Sequence, residues 1–131
     1  MFHVEHFCNK LIIKHMTVEQ VKKIIRNIPD FPVKGIQFKD LTTALMNPEC
    51  LRWMQKEIED EYLQKGITKV LGVESRGFIL APAVAIGLNA GFVPIRKPGK
   101  LPAEVLEQSY QKEYGVDRIQ IHKDALNEND V

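Results

Sequence analysis

The stretch KVLGVESRGFILAPAVAIG, residues 69–87, decides how the rest of the chain is read. KVLGV (69–73) is short, apolar and β-branched, which reads as a buried strand. FILAPAVAIGLNA (78–90) reads as a buried helix with Pro82 in its first turn or so, and FVPIR (92–96) as a second strand. Strand, helix, strand is a βαβ unit, whose strands lie parallel through a right-handed crossover. Glu74, Ser75, Arg76 and Gly77 interrupt the apolar run where the first strand meets the helix. In parallel α/β sheets, ligands bind beyond the carboxyl ends of the strands. VESRG and IRKPGK both fall there. Gly77 opens a helix whose first N–H groups favour an anion, and Arg76 offers a fork suited to phosphate oxygens. Arg96, Lys97 and Lys100 add positive charge across the same rim, with Glu74 placed to orient a basic group or a ligand hydroxyl. Taken singly, an arginine after a strand is more often a salt-bridged surface residue, and KPGK a solvated turn. Their convergence at neighbouring strand ends points to a polyphosphate or pyrophosphate site.

The bulk numbers agree with one domain: 131 residues, 44% hydrophobic, 27% charged, net charge +1. A chain of this length buries roughly two-thirds of its unfolded surface and needs no staples. The near-neutral balance offers no basic stripe, so neither nucleic acid nor an anionic membrane surface is an expected partner. Two cysteines, Cys8 and Cys50, are too few for a disulfide framework and read as reduced thiols of a cytoplasmic protein. No signal peptide or membrane span is read anywhere.

Upstream, residues 1–15 lack periodicity and read as an N-terminal extension to a domain covering 16–131. His3, His6 and Cys8 have no second ligand group at a supporting distance, so no metal site is expected. Thr17 and Gln20 form a capping box, and Val18, Val21, Ile24, Ile25 and Ile28 fall at helical spacing over 17–28. DFPVKGIQFKD (30–40) reads as a loop, with Gly35 free to take a positive φ. Asn47 and Pro48 start a second helix with an inward stripe of Leu51, Met54, Ile58 and Tyr62, closed by Gly66. Downstream, a polar two-stranded hairpin is expected between about 105 and 122, turning at Gly115.

IPDFPVKGIQFKDLTTALMNP, GVESRGFILAPAVA, VPIRKPGKLP and YQKEYGVDRIQIHKDAL stand in the order and at the spacings of adenine phosphoribosyltransferase. The sequence resembles that family over roughly residues 17 to 126. The resemblance implies a type I phosphoribosyltransferase fold: a parallel sheet with flanking helices and a polar hairpin over the site. It implies purine salvage, in which adenine and phosphoribosyl pyrophosphate give AMP and pyrophosphate, by a cytoplasmic homodimer using substrate-bound Mg²⁺. By the same resemblance Phe38 stacks on the purine, and backbone groups around Gln37 and Lys39 read its edge; by residues alone Phe38 reads equally as a core aromatic. Glu74, Ser75, Arg76 and Gly77 resemble the pyrophosphate loop, with a cis peptide implied between Glu74 and Ser75. Arg96 and Lys100 resemble residues that grip pyrophosphate oxygens. Glu113 matches the acid that exchanges a proton with the purine ring, and Tyr114 is its neighbour at the substrate.

The resemblance has one gap. At HKDALNENDV (122–131) the family leads into a hydrophobic strand, two acids and a Thr/Gly-rich loop that cradles the 5′-phosphate. Glu59-Asp60-Glu61 lies in a helical stretch with no such loop after it, and Thr42-Thr43 has no acidic pair. The 131 residues hold no copy of this signature. The expectation is a truncated phosphoribosyltransferase with the C-terminal part of its sheet missing, an exposed apolar edge, and little or no activity. The alternative is a non-catalytic fragment that binds purine or pairs with an intact subunit.

Overall fold

The computed structural model describes residues 16–112 and 115–131. The extension at 1–15, with His3, His6 and Cys8, lies outside them, as do Glu113 and Tyr114. The chain divides into two compact units, one running to Trp53 and one from Met54.

In the first unit, helix α1 (Val18–Ile24) opens on the expected capping box. The Gln20 N–H donates to Thr17 Oγ1, and the Thr17 N–H donates to Gln20 Oε1 at 2.8 Å. The helix is shorter than its spacing suggests. Ile25 is already extended, and Arg26–Pro29 form strand β1, antiparallel to β2 (Gln37–Asp40). Ile28 therefore pairs with Phe38 across a ladder and does not continue a helical stripe. Pro29 disfavours helical backbone at Ile28, and the partner strand supplies the competing hydrogen bonds. The expected loop over 30–40 is thus a connection ending in a strand, with Gly35 at φ 92°. A short helix α2 (Thr42–Leu45) follows, and Ala44 and Val21 are its buried small core with α1.

Asp40 anchors this hairpin. Its Oδ2 accepts from Arg26 Nε at 3.0 Å, while Oδ1 accepts from the Thr42 hydroxyl at 2.7 Å and the Thr42 N–H at 2.9 Å. Thr42 first, then Arg26, hold the Asp40 pKa down to about 2. A carboxylate lowered on folding stabilises above its unfolded pKa, and that contribution disappears as pH falls through the folded value. We expect the melting temperature to fall between about pH 4 and pH 2, and Asp40→Asn to flatten that part of the profile. An unchanged acid limb in Asp40→Asn would contradict the assignment.

Helix α3 (Pro48–Tyr62) begins in the first unit and ends in the second. Asn47 caps it as expected, its Oδ1 accepting from the Glu49 and Cys50 N–H groups at 3.0 Å each. The inward stripe is shifted, however. Cys50 is fully buried, Leu51 and Met54 are half-buried, and Ile58 and Tyr62 are 39% and 42% exposed.

The second unit contains the βαβ unit. Strand β3 (Lys69–Val73) runs parallel to β4 (Gly91–Ile95), and α4 (Gly77–Gly87) crosses between them. Pro82 is the sixth residue of α4, inside the helix and beyond its first turn. Val84, Ala85 and Val93 are buried here, and Phe78 meets Phe92 edge to face at 5.9 Å. One face of β3 packs on α4 through Gly72. On the other face Leu71 and Val73 are 42% and 45% exposed, and among the described residues β3 pairs only with β4. The apolar exposure is thus a face as well as an edge. The hairpin is as expected: β5 (Val105–Gln111) pairs antiparallel with β6 (Val116–His122), with Gly115 at φ 93° in the turn. Among the described residues no helix is long and apolar enough to cross a membrane.

Candidate active site

A close backbone approach builds the loop after β3. A Cβ on Gly72 would lie 2.8 Å from the Gly77 carbonyl oxygen, 2.8 Å from the Phe92 ring and 3.0 Å from Ala81 Cβ. The strand and the start of α4 touch there because neither glycine carries a side chain. Residues 74–76 are thereby turned out beyond the strand end. The Glu74–Ser75 peptide is cis, at the position the sequence suggested. The first turn of α4 closes tightly, with the Phe78 N–H donating to the Ser75 carbonyl and the Ile79 N–H to the Arg76 carbonyl, both at 3.1 Å.

Glu74 does orient a basic group. Its carboxylate accepts from Arg96 Nε at 3.2 Å and from the Lys97 N–H at 3.1 Å, and its own N–H donates to the Ile95 carbonyl at 2.8 Å. The Lys97 N–H first, then Arg96, hold the Glu74 carboxyl below the usual range, so it stays ionised near neutrality. Arg96 also donates from Nη1 to the Lys100 carbonyl at 3.3 Å, which folds the KPGK turn back on the rim, with Gly99 at φ 78°. Ser75 and Arg76 are exposed, and among the described residues Arg76 has no side-chain hydrogen bond or ion pair. Glu74, Arg96 and the Lys97 backbone are thus brought together, and Arg76 and Lys100 are left facing solvent.

The hairpin is joined to this rim. Arg96 and Gln120 exchange backbone hydrogen bonds at 2.9 and 2.7 Å, and Gln120 Oε1 accepts from the Gly99 N–H at 3.2 Å. Asp117 on β6 accepts from the ammonium groups of Lys97 and Lys112. Sequence reading missed Gly72, Gln120 and Asp117. The alternation of RIQIH hinted at which residues share a face of β6, but the Arg96–Gln120 bridge is a non-local pairing.

In the first unit Phe38 is half-buried and meets Phe31 edge to face at 5.1 Å. Gln37 and Lys39 point to the other face of β2, where Asn27 joins them. The Asn27 amide donates to Gln37 Oε1 at 2.6 Å and accepts from Lys39 Nζ at 2.8 Å. Asn27 was not singled out from the sequence, because its register opposite Lys39 depends on β1 being a strand.

No family model matches the sequence. Curated relatives do. The chain is 61% identical over 116 residues to the adenine phosphoribosyltransferase of Bacteroides thetaiotaomicron, covering 88% of this chain and 66% of that protein. It is 60% identical over 116 residues to the one of Phocaeicola vulgatus, covering 88% and 67%. This chain belongs to the adenine phosphoribosyltransferase family. Its fold agrees: it superposes on APRTase from Giardia lamblia, a structure complexed with 9-deazaadenine. That match has a TM-score of 0.82 and 45% identity, covering 88% of this chain and 65% of the other. The 131 residues span about two-thirds of the length of the adenine phosphoribosyltransferases they match.

Proposed function

We propose that this chain carries the base-binding and pyrophosphate-binding parts of an adenine phosphoribosyltransferase acting in purine salvage. The observation that carries the reading is the Glu74–Arg96–Lys97 network at the carboxyl ends of β3 and β4, beside the solvent-facing Arg76. The reaction breaks the ribose C1′–pyrophosphate bond with oxocarbenium character as N9 of adenine attacks. Negative charge accumulates on the departing pyrophosphate, and preorganised cations that need no reorganisation stabilise it. Arg76, Lys97 and Lys100 take that role, with Ser75 and Gly77 shaping the loop. Glu74 keeps Arg96 fixed. In the first unit Phe38 offers an aromatic face to the purine and the backbone near Gln37 and Lys39 its edge contacts. Glu113 is assigned the purine proton and Tyr114 a place beside it by family resemblance.

Mg²⁺ enters with the polyphosphate as part of the substrate. Arg76, Lys97 and Lys100 at the rim suit phosphate oxygens, and among the described residues no three His, Cys, Asp or Glu converge to hold a metal. A cytoplasmic homodimer belongs to the same proposal. The 131 residues contain no acidic pair followed by a Thr/Gly-rich loop, so we infer that on their own they turn over slowly or not at all.

Calorimetry with adenine and with pyrophosphate tests this, alongside an AMP-formation assay and sedimentation of the same sample. Binding of both ligands with turnover far below the roughly 10 per second of a median enzyme is the expected result. A chain that binds neither ligand overturns the reading, and ordinary turnover overturns the inference of low activity.

A further inference from the structure

Asp117 collects more donors than a hairpin surface needs. Its Oδ2 accepts from Lys97 Nζ, from Lys112 Nζ and from the Tyr110 hydroxyl at 3.1 Å, and its Oδ1 from the Arg118 N–H at 2.9 Å. Tyr110 is its cross-strand partner and Lys112 sits at the hairpin turn, so those contacts are local. Lys97 is not local. It follows β4, and its backbone N–H is already held by Glu74 at 3.1 Å. The same residue is therefore fixed to the loop acid through its backbone and to a hairpin acid through its ammonium. With Arg96 on Glu74 and Lys97 on Asp117, two of the rim's cations are each matched by an internal carboxylate. The two lysines exceed the one carboxylate by a charge, so an added anion is still attracted to the cluster.

We propose that Asp117 is the resident counter-anion of the pyrophosphate site. It holds the Lys97 ammonium, and a polyphosphate has to draw that ammonium away, so Asp117 sets the affinity of the site. It is a positioning residue, acting through Lys97, and the inference rests on the pyrophosphate reading given above. The Lys112 and Lys97 ammonium groups keep the Asp117 carboxyl well below the usual range, so it remains an anion at any pH where the protein works. A more highly charged ligand competes better for the ammonium, which favours pyrophosphate over a single phosphate.

The test is calorimetric binding of inorganic pyrophosphate to the 131-residue chain at fixed low salt. Asp117→Asn keeps the shape and one acceptor oxygen but removes the charge, and it is expected to tighten binding by about fivefold, the scale of one exposed ion pair. A purely structural role would not make binding tighter. Asp117→Glu restores the charge and returns the affinity towards that of the parent. In a Lys97→Met background the gain from Asp117→Asn falls below half. Unchanged or weaker binding in Asp117→Asn overturns the inference, as does a gain retained by half or more without Lys97. Binding by the parent chain with no change in the variant overturns this inference alone. Absence of binding by both overturns the pyrophosphate reading and this inference with it. If Asp117→Asn does not fold, the ¹³C carboxylate resonance of Asp117 in the parent chain decides. Movement on pyrophosphate saturation supports the exchange of partners, and a fixed resonance overturns it.

Discussion

Gly72→Ala destabilises the second unit by about 3 kcal/mol, at the upper end for overpacking. The new methyl meets the Gly77 carbonyl oxygen and the Phe92 ring from two sides, each at 2.8 Å, and Ala81 at 3.0 Å. The carbonyl is backbone at the start of α4 and has little room to retreat without moving residues 74–76. Loss of stability and loss of pyrophosphate binding are therefore expected together. Gly91→Ala is the control. A Cβ there meets only the flexible Lys69 side chain, at 3.3 Å, and the Thr68 carbonyl at 3.7 Å, so the cost stays below about 1 kcal/mol. Urea unfolding of the two variants measures the difference. Equal midpoints would show that the strand–helix contact is looser than described.

Arg76→Ala separates binding from stability. The side chain is exposed and, among the described residues, has no internal partner, so its removal should shift unfolding by no more than about 0.5 kcal/mol. A hydrogen-bonded contact to a charged ligand is worth more, about 2 kcal/mol, which weakens pyrophosphate binding roughly thirtyfold. Arg76→Lys restores the charge but not the planar fork, and should recover only part of the loss. The comparison is a calorimetric titration of each variant with pyrophosphate, beside its thermal melt. An Arg76→Ala chain that binds as well as its parent would remove this arginine from the site.

The parts of the fold with a local signal were legible in the sequence. KVLGV and FVPIR are apolar runs of strand length bounded by polar breaks, and the turn at Gly115 marks the hairpin. Asn47-Pro48 and Thr17-x-x-Gln20 are capping signals that act within one turn. The β1–β2 ladder was not legible. Ile24, Ile25 and Ile28 fit a helix face and a strand equally, and only the pairing of Ile28 with Phe38 decides between them. Ile58 and Tyr62 have the period of an inward stripe, yet they stand 39% and 42% exposed, with the Lys65 ammonium over the Tyr62 ring. At the site, Glu74 and Arg96 announced themselves by interrupting or following apolar strands. Asp117, Gln120 and Asn27 are ordinary polar residues on polar strands, and register alone gives them partners. The roles assigned to Glu113 and Tyr114 fall outside the described residues and rest on family resemblance.

The bridge between Arg96 and Gln120 bears on the order in which the second unit closes. Four residues (112–115) separate β5 from β6, whereas seventeen (74–90) separate β3 from β4. Short closures cost less chain entropy and form sooner, so the hairpin is the early element and the parallel pair the late one. The bridge then gives β4 a preformed neighbour to dock against. Arg96, which follows β4 and meets Glu74, is therefore expected to be set in place by a template that forms before the β3–β4 pair.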